Sequence, residues 1–246
     1  MLLEDIYQLY KAHSIVTTDS RNVPFGSLFF ALKGESFNGN AFAKNAIEKG
    51  AAYAFVDEKE FADSERIVLV DDVLQTLQQL ANHHRKQFSG KVIGITGTNG
   101  KTTTKELIAV VLSKRYNTLY TTGNLNNHIG VPLTLLRLNA THEMVVIEMG
   151  ANHCGEIKFL CDIAEPDFGI ITNVGKAHLE GFGSFENVIR TKSELYDAVR
   201  QRNGMVFINQ DNLYLQDIAK TIQKVAYGTA KGLFVSGKTT ADFEPY

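Results

Sequence analysis

The sequence predicts an α/β protein of two domains, the larger one built on a mostly parallel sheet. Two observations carry that expectation. From Val92 onward the apolar runs VIGIT, MVVIEMG, FGIITNVG and MVFIN alternate with stretches of helical period. Near-continuous apolar strands between helices indicate a parallel sheet covered on both faces. The first run passes through Gly97-Thr98-Asn99-Gly100-Lys101-Thr102-Thr103 into a helix. In such sheets ligands sit at the carboxyl ends of strands, so the residues following each strand are the candidates for chemistry.

The elements follow in order. The N-terminus, MLLEDIYQLYKAHS, carries early acids and no long apolar core, so it does not read as a signal peptide. LFFAL (Leu28 to Leu32) is a strand candidate, and FAKNAIEK (Phe42 to Lys49) is a helix stopped by Gly50. AAYAFV and IVLV are apolar runs of strand length. A helix from Val73 to about Phe88 ends in polar HHRKQFSGK, which places a domain boundary near Gly90: residues 1–88 form one domain and 89–246 the other. In the helix after the glycine loop, Leu107, Val110 and Val111 share a face. Lys114 and Arg115 fall in its last turn, where cations suit the helix dipole. A helix from about Phe185 to Val199, the strand Met205 to Asn209 and a further helix complete the pattern. There is no internal repeat and no low-complexity segment.

Composition narrows the function. The 246 residues are 44 % hydrophobic and 21 % charged, which suits a globular chain with a real core. A formal net charge of −2 with no dense basic run argues against nucleic acid as a partner. No stretch approaches the ~20 apolar residues of a membrane helix. Cys154 and Cys161 fit no common zinc spacing, and His153 is only a faint metal hint beside Cys154. They read as thiols of a reducing compartment, so a cytoplasmic protein is expected.

The glycine loop does not have the common spacing, Gly, four residues, then Gly-Lys-Ser/Thr. Ile95 stands five before Gly100, and the nearest loop glycine, Gly97, is only three before it. Its chemistry is nevertheless that of a phosphate loop. The glycines let backbone N–H groups turn toward phosphate oxygens at a helix N-terminus. Lys101 offers a point charge, and Thr102 a hydroxyl for Mg²⁺. Glu148 ends the second apolar strand. It is either a solvated strand end or a metal ligand, since a buried carboxylate needs a partner. His178 follows the third strand, in GKAHLEGFG. Lys192 sits on the stripe of Val188, Leu195 and Val199. Its stem packs there while the amine reaches out to solvent, or the amine is desolvated and biased toward its neutral form. A neutral amine can add CO₂ to become a carbamate.

Taken together these residues resemble the Mur ligases, the ATP-dependent amino-acid-adding enzymes of peptidoglycan synthesis. GTNGKTT has the form of that family's shortened phosphate loop. Thr121–Leu138, Ile147–Ile157 and Ile171–Ser184 are most similar to the type that adds D-Ala-D-Ala to UDP-N-acetylmuramoyl-tripeptide. The stretch from Thr18 to Phe42 resembles the uridine-nucleotide-binding domain shared with the tripeptide-forming sister ligase, the alternative assignment. The resemblance implies a small N-terminal α/β uridine-nucleotide-binding domain and a central P-loop ATPase-like domain. It implies that Gly97, Thr98, Asn99, Gly100, Lys101, Thr102 and Thr103 hold the ATP phosphates. Thr102 and Glu148 would hold one Mg²⁺ and His178 a second, with Lys192 carbamylated. Ser20, Arg21 and Asn38 would face the uridine end of the substrate, and Asn126 and Asn127 would line its path. The implied chemistry is carboxylate activation by the γ-phosphate, an acyl phosphate, and attack by the amine of D-Ala-D-Ala. The family's third, Rossmann-like domain is not seen before the chain stops at TTADFEPY. A fragment unable to complete ligation alone, acting as a monomer, is therefore expected. A non-catalytic nucleotide-binding module is the competing reading, and a kinase or GTPase would need a longer loop and a base-reading motif.

Overall fold

The computed structural model describes residues 2–175 and 179–237. They form two compact units: residues 2–89 with 122–141, and residues 90–121 with 142–175 and 179–237.

The first unit begins with α1 (Leu3–Ala12), whose Ile6, Tyr7 and Tyr10 face inward at helical spacing. Then come β1 (Val16–Thr17), β2 (Leu28–Phe30), and the antiparallel pair β3 (Lys33–Gly34) and β4 (Phe37–Asn38). A 3₁₀ turn at Gly39–Phe42 leads into α2 (Ala43–Glu48), followed by β5 (Tyr53–Val56), β6 (Ile67–Leu69) and α3 (Val73–Gln87). Strands β1, β2, β5 and β6 make a parallel four-stranded sheet in that order. Phe29, Ala43, Ala46, Ala54 and Val56 belong to one core cluster of this unit. Asp72 caps α3 by accepting from Gln75 N at 2.7 Å.

The second unit opens with β7 (Lys91–Thr96), α4 (Lys101–Leu112) and β8 (Thr118–Tyr120). Here α4 departs from the sequence expectation. Leu107, Val110 and Val111 are 64 %, 59 % and 69 % exposed, whereas Lys105 and Ala109 are buried. The pattern of α4 offers two faces. The sheet takes the one carrying Ile108 and Leu112, which pack on Ile93, Ile95 and Val146. The loop before the helix sets its rotation, and periodicity does not report that rotation. The helix also ends at Leu112, so Lys114 and Arg115 lie beyond its last turn.

Residues 122–141 were expected to lie within the 89–246 domain, but they pack with the first unit. They carry α5 (Gly130–Leu135), which lies against α3. Val131, Leu135, Leu136 and Leu138 are buried there, and long-range polar bonds add to that packing. Tyr10 Oη donates to Leu136 O at 2.7 Å, and His84 Nε2 lies 3.0 Å from Leu138 O. A carbonyl only accepts, so Nε2 carries the proton and Nδ1 is left to accept from Tyr7 Oη at 3.2 Å. Burial lowers the His84 pKa from its usual value, so the folded state favours the neutral ring. With the pKa lowered, this contribution is complete above the unfolded-state value near 6.5 and is lost as pH falls through the folded-state value. Urea unfolding between pH 7.5 and pH 5 is expected to show stability falling on acidification, and falling less in His84→Gln. An unchanged pH slope in the variant would refute this.

The second unit resumes with β9 (Met144–Glu148), α6 (Glu156–Ala164), β10 (Phe168–Ile171), α7 (Leu179–Phe182), α8 (Phe185–Gln201), β11 (Met205–Asn209), α9 (Leu213–Ile218), β12 (Gln223–Gly228) and β13 (Val235–Ser236). The sheet runs β13-β12-β11-β10-β7-β9-β8, and every pairing in it is parallel. β7 lies between β9 and β10, and later strands are added on both sides of it. Its carboxyl end is therefore the switch point where such sheets bind ligands. Among the described residues no helix is long and apolar enough to cross a membrane.

Candidate active site

The loop after β7 is built for close approach. Gly97 has φ +149° and Gly100 φ +75°, both in the region that favours glycine. The end of β10 clasps the loop. Thr98 N donates to Asn173 O at 3.1 Å and Asn99 N to Asn173 Oδ1 at 3.1 Å. In return Thr172 Oγ1 and Asn173 Nδ2 donate to Asn99 O at 2.6 and 3.0 Å. Gly175 N donates to Thr98 Oγ1 at 2.9 Å. The sequence places Thr172 and Asn173 after the third apolar strand, but their clasping role was missed. No local signal links residues more than seventy positions apart.

Lys101 Nζ folds back on the loop, 2.9 Å from Gly97 O and 3.2 Å from Thr98 O. Burial lowers its pKa, and Glu148 opposes that shift. Thr102, the next residue, turns its hydroxyl to Glu148 Oε1 at 3.2 Å. Glu148 is 1 % exposed, so the reading of a solvated strand end is set aside. A hydroxyl and a buried carboxylate are hard oxygen donors. They suit Mg²⁺, which takes its other ligands from phosphate and water. No cluster of three or more His, Cys, Asp or Glu is placed to hold a metal among the described residues. His178 lies outside those residues. Thr103 and Asn99 are exposed on the loop and the first turn of α4.

Lys192 is buried on the same face of α8 as Val188, Leu195 and Val199. Its amine does not reach out to solvent. It lies 5.6 Å from the centre of the Phe182 ring, and its pKa is lowered to about 8, first by burial and then by the charge of Lys101. The charge of Lys101 thus disfavours the Lys192 ammonium, an effect that an anion placed near it would relieve.

The candidate substrate residues of the first unit make contacts within it, Arg21, Asn38 and Asn127 through their side chains and Ser20 and Asn126 through backbone atoms. Arg21 is held by Asp19 through Nε and Nη2, both at 2.9 Å, and its side chain is exposed. Lys49 Nζ donates to Ser20 O at 2.7 Å. Asn38 Oδ1 accepts from Asn40 N at 3.0 Å, while its Nδ2 donates to Glu58 Oε2 at 2.8 Å. Asn127 Oδ1 accepts from Ile129 N and Gly130 N at 3.1 and 2.9 Å, opening α5. Asn126 stands beside it in the same turn, its N donating to Asn124 O at 2.8 Å.

Residues 95–241 match the family described as Mur ligase middle domain, and residues 13–85 the one described as Mur ligase family, catalytic domain. The UDP-N-acetylmuramoyl-tripeptide–D-alanyl-D-alanine ligase of Bacillus subtilis (strain 168) is 40% identical over 216 residues, 87% of this chain and 47% of that protein. Its counterpart in Escherichia coli (strain K12) is 43% identical over 197 residues, 80% and 43% of the two chains. The solved MurF ligase of Thermotoga maritima, in complex with ADP, superposes with a TM-score of 0.81 at 35% identity, covering 89% of this chain and 51% of that one. This chain spans about half the length of the curated relatives it matches. Its mixed α/β fold with mostly parallel sheets, expected from the sequence, is the fold of the MurF structures. Since the middle-domain match begins at Ile95, just before the loop, and takes in more than half of the residues, this chain belongs to the Mur ligase family.

Proposed function

We propose that this chain supplies the nucleotide and UDP-substrate side of an ATP-dependent ligase of peptidoglycan precursor synthesis. That enzyme joins D-Ala-D-Ala to UDP-N-acetylmuramoyl-tripeptide through an acyl phosphate. The observation that carries the reading is the meeting of Thr102 and buried Glu148, 3.2 Å apart, at the head of the phosphate loop. A loop that held phosphate without Mg²⁺ would have no need of a buried carboxylate there.

In this reading the N–H groups of Gly97 to Thr103 cradle the ATP phosphates. Lys101 leaves the loop carbonyls to meet the terminal phosphates. Thr102 and Glu148 hold Mg²⁺, which when bound neutralises charge between two anions that must meet, the peptide carboxylate and the γ-phosphate. Lys192 contributes a second buried amine close enough to Lys101 to feel its charge. Ser20, Arg21 and Asn38 face the uridine end, with Asn126 and Asn127 on the substrate path. A second Mg²⁺ at His178 belongs to the same reading. The carbamate that the family resemblance implied at Lys192 finds no support in the comparisons, and Lys192 enters here as an amine.

Calorimetric titration of the chain tests the proposal. ADP with Mg²⁺ and UDP-N-acetylmuramoyl-tripeptide are both expected to bind, the tripeptide form more tightly than the UDP-linked dipeptide that the sister ligase would use. Binding of ADP without either UDP-peptide would point to the non-catalytic module. Failure to bind ADP would overturn the reading.

A further inference from the structure

Lys105 is a charged side chain with no part in the reading above, yet it is fully buried. It lies on α4, four residues after Lys101 and three after Thr102. A buried ammonium is costly unless it finds acceptors, so its partners show what the fold holds in place. Nζ donates to Thr121 O at 2.7 Å, lies 2.8 Å from Glu106 Oε1, and sits 5.8 Å from the centre of the Tyr120 ring.

Thr121 is the informative partner. It follows β8 and is itself fully buried. Its N donates to Val146 O at 3.0 Å, and its Oγ1 accepts from Glu148 N at 3.0 Å. Its carbonyl is held by Lys105 and its hydroxyl holds the backbone of Glu148. Helix α4 therefore reaches Glu148 twice: directly through Thr102 at its first turn, and one turn later through Lys105 and Thr121. Two contacts from one helix thus bear on Glu148, one on its carboxylate through Thr102 and one on its backbone through Thr121.

We propose that Lys105 is a positioning residue for the Mg²⁺ site, acting through Thr121 to aim Glu148 at Thr102. This rests on the reading of Thr102 and Glu148 as the Mg²⁺ pair. Lys101, by contrast, donates to carbonyls of the loop. The two lysines divide the work: one meets phosphate, and the other holds the metal ligand.

The test compares ADP affinity with Mg²⁺ and with EDTA, alongside thermal unfolding, in the wild type and in Lys105→Met, Lys105→Arg, Thr121→Val and Glu148→Gln. Lys105→Met is expected to weaken binding about 10-fold or more in Mg²⁺ and less than about twofold in EDTA, since lost support behind a metal ligand costs affinity on that scale. Thr121→Val keeps the lysine and its carbonyl acceptor but removes the hydroxyl, and is expected to show the same selective loss. Lys105→Arg, which keeps a donor, should recover part of it. Equal losses with and without Mg²⁺ in Lys105→Met and Thr121→Val would mean a structural role only and overturn the proposal. If Glu148→Gln abolishes the Mg²⁺ dependence while Thr121→Val leaves it intact, the positioning link fails and the metal pair stands. If Glu148→Gln leaves the dependence unchanged, the metal pair fails and the proposal falls with it.

Discussion

Lys101→Met is expected to weaken ADP binding by about tenfold to a hundredfold, because a hydrogen bond to a charged group contributes roughly 1.5–3 kcal/mol and each ~1.4 kcal/mol is a factor of ten. The amine is half-buried and rests on Gly97 O and Thr98 O at 2.9 and 3.2 Å. Those contacts exchange a charged donor for neutral carbonyl acceptors, a weaker pairing than phosphate offers. Burial disfavours the ammonium, so a dianion near Nζ gains the more from meeting it. Lys101→Arg should not restore affinity, since a planar fork cannot fit where a compact ammonium lies within the loop. Isothermal titration with ADP checks the effect, and adenosine, which lacks phosphate, is the control that should not respond. A Lys101→Met affinity within about twofold of wild type would remove Lys101 from the phosphate site, since that change is worth less than one charged hydrogen bond.

Gly97→Ala should be at least as damaging, for a different reason. At φ +149° an L-residue is strained, and an added Cβ would lie 2.0 Å from Thr172 Oγ1, 3.1 Å from Thr172 N and 3.2 Å from Asn173 N. The hydroxyl cannot simply move aside, because it donates to Asn99 O at 2.6 Å and forms part of the clasp on the loop. The loop must shift, and the N–H groups of Thr98 and Asn99 shift with it. ADP affinity is expected to fall about a hundredfold or more, with a lower unfolding temperature, as for a substitution that overpacks a tight site by ~1–3 kcal/mol and adds backbone strain. Gly100→Ala is the contrast. Its φ is +75°, and nothing lies within 4 Å of an added Cβ. It should lose only the roughly 1–2 kcal/mol of left-handed strain. Equal behaviour of the two variants would show that the Thr172 contact has no part in holding the loop.

The alternation of strands and helices and the glycine loop were legible because they are local. Apolar runs of strand length, a Gly-Lys-Thr ending and a helix beginning at Lys101 are written in consecutive residues. Lys192 on an apolar stripe was legible in the same way, since helical spacing alone places it there. The rotation of α4 was not. Two faces carry apolar residues, and the one with Leu107, Val110 and Val111 is exposed. Nor was the placement of residues 122–141 with the first unit, where Val131 and Leu135 are buried and Tyr10 and His84 meet carbonyls of Leu136 and Leu138.

The sequence by itself determined the parallel α/β class and the phosphate loop, because strand period, glycine spacing and helix order act between near neighbours. Only the tertiary structure decided which side chains serve that loop. Thr172 and Asn173 clasp it from just after β10, Thr102 on α4 meets Glu148 at the end of β9, and Lys105 reaches Thr121 just after β8. The physical reason is burial. A charge such as Lys105 or Glu148 can stay inside only where distant segments bring it partners, and pattern within a segment does not reveal those meetings.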